Sequence, residues 1–227
     1  MPTDAHCHVA RRASRHFICT APEAFAGLRA GADDAVFCGY HPWECSLATT
    51  EALDSLRALV ASSPQIGVGE IGMDRLRSRT ISDAMRGAFA AQLEIAADFG
   101  RPVVLHGAKC WGEVLAACRP FAGRIPAFLF HGFSRSGGLI PDIARIGGFI
   151  SAGPAVLNDH AVNYRELVAS VPLEMLLVES DATAENEASV PDVDDIARKV
   201  AELRGMQYDE LAAALEDNAD RFLSKKQ

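Results

Sequence analysis

The chain has 227 residues, 49% of them hydrophobic, so it can bury a sizeable core and falls within the range of one α/β barrel. Its formal net charge of -8 argues against non-specific coating of DNA. No apolar run is long enough to span a bilayer and no charged and apolar leader precedes the first strand, which places the expected protein in the cytoplasm as a single domain with no obligate protein partner indicated.

"TDAHCH" (3–8) reads as a first strand. Alternate side chains of a strand share a face, so His6 and His8 are expected to point one way with Asp4 beneath them, and Cys7 the other way. Two imidazoles on one face at a strand end form a pair of donors for a divalent ion. Further short apolar or β-branched runs follow at 16–20, 35–39, 66–70, 102–106, 127–131, 147–151 and 174–180. Between them lie segments of helical period: 50–63, 83–100, 111–121, 137–147 and 194–205, several closed by glycine or proline. The segment 208–223 reads as a last amphipathic helix with Asp209 as N-cap. Strands alternating with helices predict a parallel sheet, here a (β/α)8 barrel of the TIM type with room for distortion.

The six cysteines contain no C-x-x-C pair, which points to reduced core residues rather than a zinc ribbon or disulfide frame. The ionisable residues are placed more tellingly. His6 and His8 end the first strand, His41 and Glu44 follow the third, and Glu70 ends the fourth. His106 ends the fifth, His131 the sixth, and Asp181 follows the eighth, whereas His16 and His160 lie outside the pattern. In a (β/α)8 barrel all these edges open on one face, where such folds carry their chemistry. Four histidines with two carboxylates exceed the needs of one catalytic zinc and suffice for two ions. Mixed histidine and carboxylate ligation admits Zn, Mn, Co or Ni, with Mg admitted by its abundance.

The ordered motifs "DAHCH", "GYHPWE", "GEIGMD", "PVVLH", "HGFS", "SAGP" and "VESDA" resemble those of the TatD-related metal-dependent hydrolases of the amidohydrolase-like superfamily. The resemblance runs from about residue 3 to the terminal "DNADRFL". It implies that His6, His8 and Asp181 ligate one ion, that Glu70 bridges, and that His106 and His131 ligate a second, with His41 close to substrate. It also implies the barrel fold, divalent cations and, for some members, removal of nucleotides from DNA 3′ ends. Three positions depart from the family pattern: His106 is followed by Gly107-Ala108 instead of x-Arg, Arg75 replaces an aromatic or apolar residue, and Thr183 replaces proline. The segment after Thr183 is also shortened.

Arg11, Arg12, Arg15, Arg75, Arg77, Arg79, Lys109 and Arg135 follow strands and are expected to ring the active face, where they could meet phosphate oxygens. Arg75 and Lys109 are the candidates to replace the missing arginine. Glu44, Glu185 and Glu187 bring opposite charge to the same face. The expected function is a metal-dependent phosphodiesterase, a TatD-like 3′ exonuclease in which Asp181 and Glu70 are catalytic. Hydrolysis of a small amide, lactone or ester is the alternative, and a non-enzymatic metal-binding protein is a third reading, disfavoured by the base beside an open coordination site.

Overall fold

Eight parallel strands stand in chain order in one sheet: β1 (Asp4–Cys7), β2 (His16–Thr20), β3 (Ala35–Cys38), β4 (Gly67–Asp74), β5 (Val103–Ala108), β6 (Phe128–Phe130), β7 (Gly148–Ala152) and β8 (Leu176–Val178). The computed structural model describes residues 1–77, 79–134 and 137–224. Seven α-helices occur among the described residues: α1 (Thr50–Ser62), α2 (Asp83–Asp98), α3 (Trp111–Cys118), α4 (Ile140–Arg145), α5 (Val162–Ser170), α6 (Val193–Arg204) and α7 (Tyr208–Leu223). No helix covers the turn from β1 to β2, and only a 3-10 segment (Pro22–Gly27) joins β2 to β3. The (β/α)8 barrel is therefore distorted on its first quarter.

Local chemistry explains the helices. Thr49 and Ser82 cap α1 and α2 by accepting the backbone N–H of Ala52 (3.3 Å) and Met85 (3.1 Å). Helix α6 stops at Gly205, whose φ of 64° is the left-handed turn that glycine adopts without strain. The residue flanking α7 is Gln207, not Asp209; Asp209 lies inside the first turn, where its charge favours the positive helix end. Helix α5 escapes the periodicity reading because its buried residues, Leu167 and Val168, are adjacent rather than spaced along a stripe, and Val162 is exposed.

Inside the barrel, Ala5, Phe17, Phe37, Val104, Leu129, Phe149 and Leu177 supply one apolar layer, so every strand but β4 contributes. Strand β4 brings Gly67 and Gly69 instead. A Cβ on Gly67 would fall 2.3 Å from the Phe37 ring, and one on Gly69 2.8 Å from the Val104 side chain. Phe222 of α7 packs on this layer, with ring centroids 5.4 Å from Phe17, 5.9 Å from Phe37 and 5.6 Å from Phe149. The polar side chains gather at the strands' other ends.

The β1–β8 seam is closed largely by side chain and loop. The Asp4 carboxylate accepts the Ser180 N–H (2.9 Å) and hydroxyl (2.6 Å), Asp181 N–H donates to the His6 carbonyl (3.1 Å) and His8 N–H to that of Ala182 (2.8 Å). Burial pushes the Asp4 carboxyl up to about 6 against the pull of the Ser180 hydrogen bonds. The β1–β2 register slips between Asp4 and Cys7, and Asp4 accordingly serves the seam rather than the ligand face expected of it. All six cysteines are free, and five are buried.

Candidate metal centre

Glu70 is the hub, and it is not at a strand end. Strand β4 continues four residues further, to Asp74, and its register with β5 slips between Val68 and Ile71. The carboxylate is buried and its two oxygens divide the histidines. Oε2 lies 3.4 Å from Nε2 of both His6 and His8. Oε1 lies 2.6 Å from His106 Nδ1, 2.7 Å from His131 Nε2 and 3.5 Å from His41 Nε2. Asp181 adds an oxygen 3.4 Å from His6 Nε2; its φ of 52° turns the residue through the left-handed region that aspartate tolerates.

Each histidine but His6 is held from behind. His8 Nδ1 donates to the Cys19 carbonyl (3.1 Å), His106 Nε2 to Asp74 Oδ2 (3.1 Å) and His131 Nδ1 lies 3.4 Å from Glu179 Oε1. Such partners orient the rings and turn the opposite nitrogen towards Glu70. His106 Nδ1 and His131 Nε2 then stand 3.4 Å apart, both turned to Glu70 Oε1. Among the described residues neither ring nitrogen of the fully buried His6 has a hydrogen bond of good geometry, the Glu70 and Asp181 oxygens standing 3.4 Å from Nε2. Orphaned buried nitrogens and imidazole nitrogens converging on one carboxylate are the donor set a divalent cation satisfies. Two clusters have suitable spacing for an ion: His6, His8 and Glu70, and His41, Glu70 and His106.

His41 differs in its tautomer. Its Nδ1 accepts the Trp43 backbone N–H (3.2 Å), and burial holds the ring below its usual pKa, so the neutral ring carries its proton on Nε2 and faces the site as a donor. Burial would raise Glu70 and Asp181, but the histidine charges and hydrogen bonds around each outweigh it and hold both below the usual carboxylate range. Burial and the charge of His6 work against a proton on His131, yet Glu70 and Glu179 push it up to about 10.

The site opens into a cavity of about 790 Å³ lined by His8, His41, Trp43, Arg77, Asp181 and Thr183 among others, with Glu44 and Glu185 at its walls. Arg75 and Lys109 are not among its lining residues. They line a neighbouring cavity of about 300 Å³, where Arg75 is paired with Glu113, because the chain turns outward after Asp74 and Ala108. Arg15 is also misplaced by the sequence reading: it precedes β2, and it pairs with Asp220 (2.8 Å) of α7. Arg11 is tied to Asp192 (3.1 Å), and Arg135 lies outside the described residues. Ala108 stands where the family pattern has arginine, and Gly107 before it sits against Trp111, whose ring would be 2.1 Å from an added Cβ.

Sequence reasoning missed Asp74 and Glu179 as partners of ligands. Their spacing was visible, since Asp74 stands four residues after Glu70 and Glu179 two before Asp181, but Glu179 and Asp181 lie beyond the end of β8, where strand alternation does not predict a shared face. His16, assigned no role, is held by Asp34 (2.8 Å) at the barrel's far end.

The profile of the TatD related DNase family matches residues 23–224. The metal-dependent hydrolase YabD of Bacillus subtilis is 24% identical over 193 residues, which cover 81% of this chain and 75% of YabD. The 3′-5′ ssDNA/RNA exonuclease TatD of Enterobacter lignolyticus is 30% identical over 145 residues, 63% of this chain and 56% of that enzyme. Among solved structures, the TatD homologue YjjV of Escherichia coli superposes with a TM-score of 0.83 at 21% identity, covering 97% of this chain and 96% of YjjV. An organophosphorus hydrolase of Deinococcus radiodurans shares the fold at a TM-score of 0.62 and 14% identity, over 92% of this chain and 78% of its own. A profile match across most of the chain identifies it: the chain belongs to the TatD-related DNase family.

Proposed function

We propose that this protein is a divalent-metal-dependent phosphodiesterase that removes nucleotides from the 3′ ends of single-stranded nucleic acid in the cytoplasm. The observation that carries the reading is the division of histidines between the two oxygens of Glu70. One carboxylate facing two donor sets suits a pair of divalent ions. His6, His8 and Asp181 would hold the first and His106 and His131 the second, with Glu70 reaching both. The named activity of the Enterobacter relative supports the nucleic-acid substrate.

Bound cations supply two things here, a more acidic water and an electrophilic pull on the phosphoryl oxygens. The chain's own residues do the rest. Asp181, whose side chain is 49% exposed and held in its ionised form, takes the proton of the attacking water. The new O–P bond forms as the ester O–P bond breaks. His41, with its proton on Nε2, is placed to give one to the departing oxygen. Asp74 and Glu179 keep His106 and His131 oriented throughout.

A second reading, hydrolysis of a small ester or lactone, is favoured by one observation: among the described residues Arg77 is the single lysine or arginine lining the cavity, against Glu44 and Glu185. Incubating the metal-loaded protein with single-stranded DNA, a simple phosphodiester and small esters separates the two. Stepwise loss of 3′ nucleotides is expected; turnover of esters alone would favour the second reading.

A further inference from the structure

Trp43 is the largest side chain exposed at the mouth of the cavity, 54% open to solvent although it belongs to a well-anchored turn. Its indole N–H donates to Asp74 Oδ2 (2.7 Å), the same oxygen that receives His106 Nε2. His41 packs edge-on to it at 4.6 Å between centroids. The Arg77 guanidinium lies 4.6 Å from the ring centroid, and Arg77 itself is anchored by its backbone N–H on Asp74 Oδ1 (2.8 Å). Leu47 and Leu76, from the same two loops, are also exposed. An aromatic ring more than half exposed, locked in orientation by a buried carboxylate and covered on one face by a guanidinium, leaves its other face for a flat heterocycle and its cation for an attached phosphate.

Resting on the phosphodiesterase reading, we infer that Trp43 and Arg77 form a nucleoside subsite: a base of the substrate stacks on Trp43 while Arg77 meets the adjoining phosphate. Sequence tolerance follows, because every base offers a π-face. Trp43 has a second consequence through Asp74, since its indole N–H competes for and orients the oxygen that holds His106. It is a binding residue for the base and a positioning residue for the histidine.

The two roles are separable. An oligodeoxynucleotide ending in a normal 3′ nucleotide is compared with one ending in an abasic residue, in the metal-loaded enzyme. Stacking of about 1–3 kcal/mol predicts a preference of roughly 5–150-fold in kcat/KM for the base-bearing end. Trp43→Ala should reduce that ratio to near one. Trp43→Phe should retain most of the ratio while lowering kcat on both substrates, because stacking survives and the indole N–H does not. Arg77→Ala should raise KM for both and flatten the salt dependence. Binding is read independently by fluorescence: Trp111 is the second of two tryptophans and is buried, so quenching by a phosphorothioate trinucleotide reports on Trp43. Quenching by the base-bearing trinucleotide and not by its abasic counterpart supports the subsite even where no cleavage occurs, an outcome that would instead remove the phosphodiesterase reading. Cleavage with a base-to-abasic ratio unchanged in Trp43→Ala overturns the subsite and leaves the activity standing.

Discussion

Asp74 and His106 form a carboxylate–imidazole pair, Oδ2 to Nε2 at 3.1 Å, that turns the other ring nitrogen of His106 towards Glu70. The backbone N–H of Arg77 and the indole of Trp43 donate to the same carboxylate. Burial would raise Asp74, but these three hydrogen bonds hold it below its usual range, so it stays an acceptor. Loss of such a partner typically weakens metal affinity about 10–100-fold. Asp74→Asn should therefore weaken the site on the His106 side by that amount and leave the His6–His8 side near normal. Chelator competition for the two ions checks this.

The role of Asp181 separates charge from shape. Asp181→Asn keeps an oxygen donor and loses the basicity, so kcat should fall by about two to four orders of magnitude with metal retained. Metal content and single-turnover rate measured on one preparation decide it. Near-normal turnover at full occupancy would remove the base assignment.

Gly72 marks where β4 passes closest to β5. Its φ is 152°, and a Cβ there would stand 2.0 Å from the His106 carbonyl oxygen. The obstruction is backbone and cannot rotate away. Gly72→Ala should cost about 3 kcal/mol or more, the upper end for overpacking, and shift His106 with it. Urea unfolding gives the loss.

Asp34 gives the fold a pH dependence away from the site. It accepts the N–H groups of Gly31 (2.7 Å) and His16 (2.8 Å) and the His16 ring. Burial raises its pKa, but the hydrogen bonds outweigh it and the folded value is depressed. The sign follows: the contribution is present above the unfolded carboxylate value and is lost as pH falls through the lower folded one. Asp34→Asn should destabilise by about 1–3 kcal/mol at pH 7. The gap to the parent protein should narrow below about pH 4. A gap constant from pH 7 to pH 3 would contradict this.

Much of the fold was legible because the signals were local. Strand β2 matches its expected limits, and the first-to-eighth order of strands follows from βαβ alternation. Four histidines converge because parallel strands end on one face, a property of the topology rather than of any one motif. Direction after a strand end was not legible. Arg75 and Arg77 are two residues apart, yet the first leads to Glu113 in a side cavity and the second folds over Trp43. That choice depends on Asp74 holding the turn, a tertiary contact with no periodic trace. The length of β4 was hidden for a related reason: the expected strand stops at Glu70, whereas the observed one continues to Asp74 through Gly72, which leaves room for the His106 backbone.

On the proposed function, hydrolysis would depend on two cations that share Glu70. The most direct test is to titrate the chelator-stripped protein with Zn, Mn, Co and Mg in turn, desalt, and measure metal per chain together with nucleotide release from single-stranded DNA. The account predicts about two ions per chain for at least one metal, with activity rising as the second is bound and both quantities collapsing in Glu70→Gln. At most one ion bound with every metal, or full activity in Glu70→Gln, would contradict it.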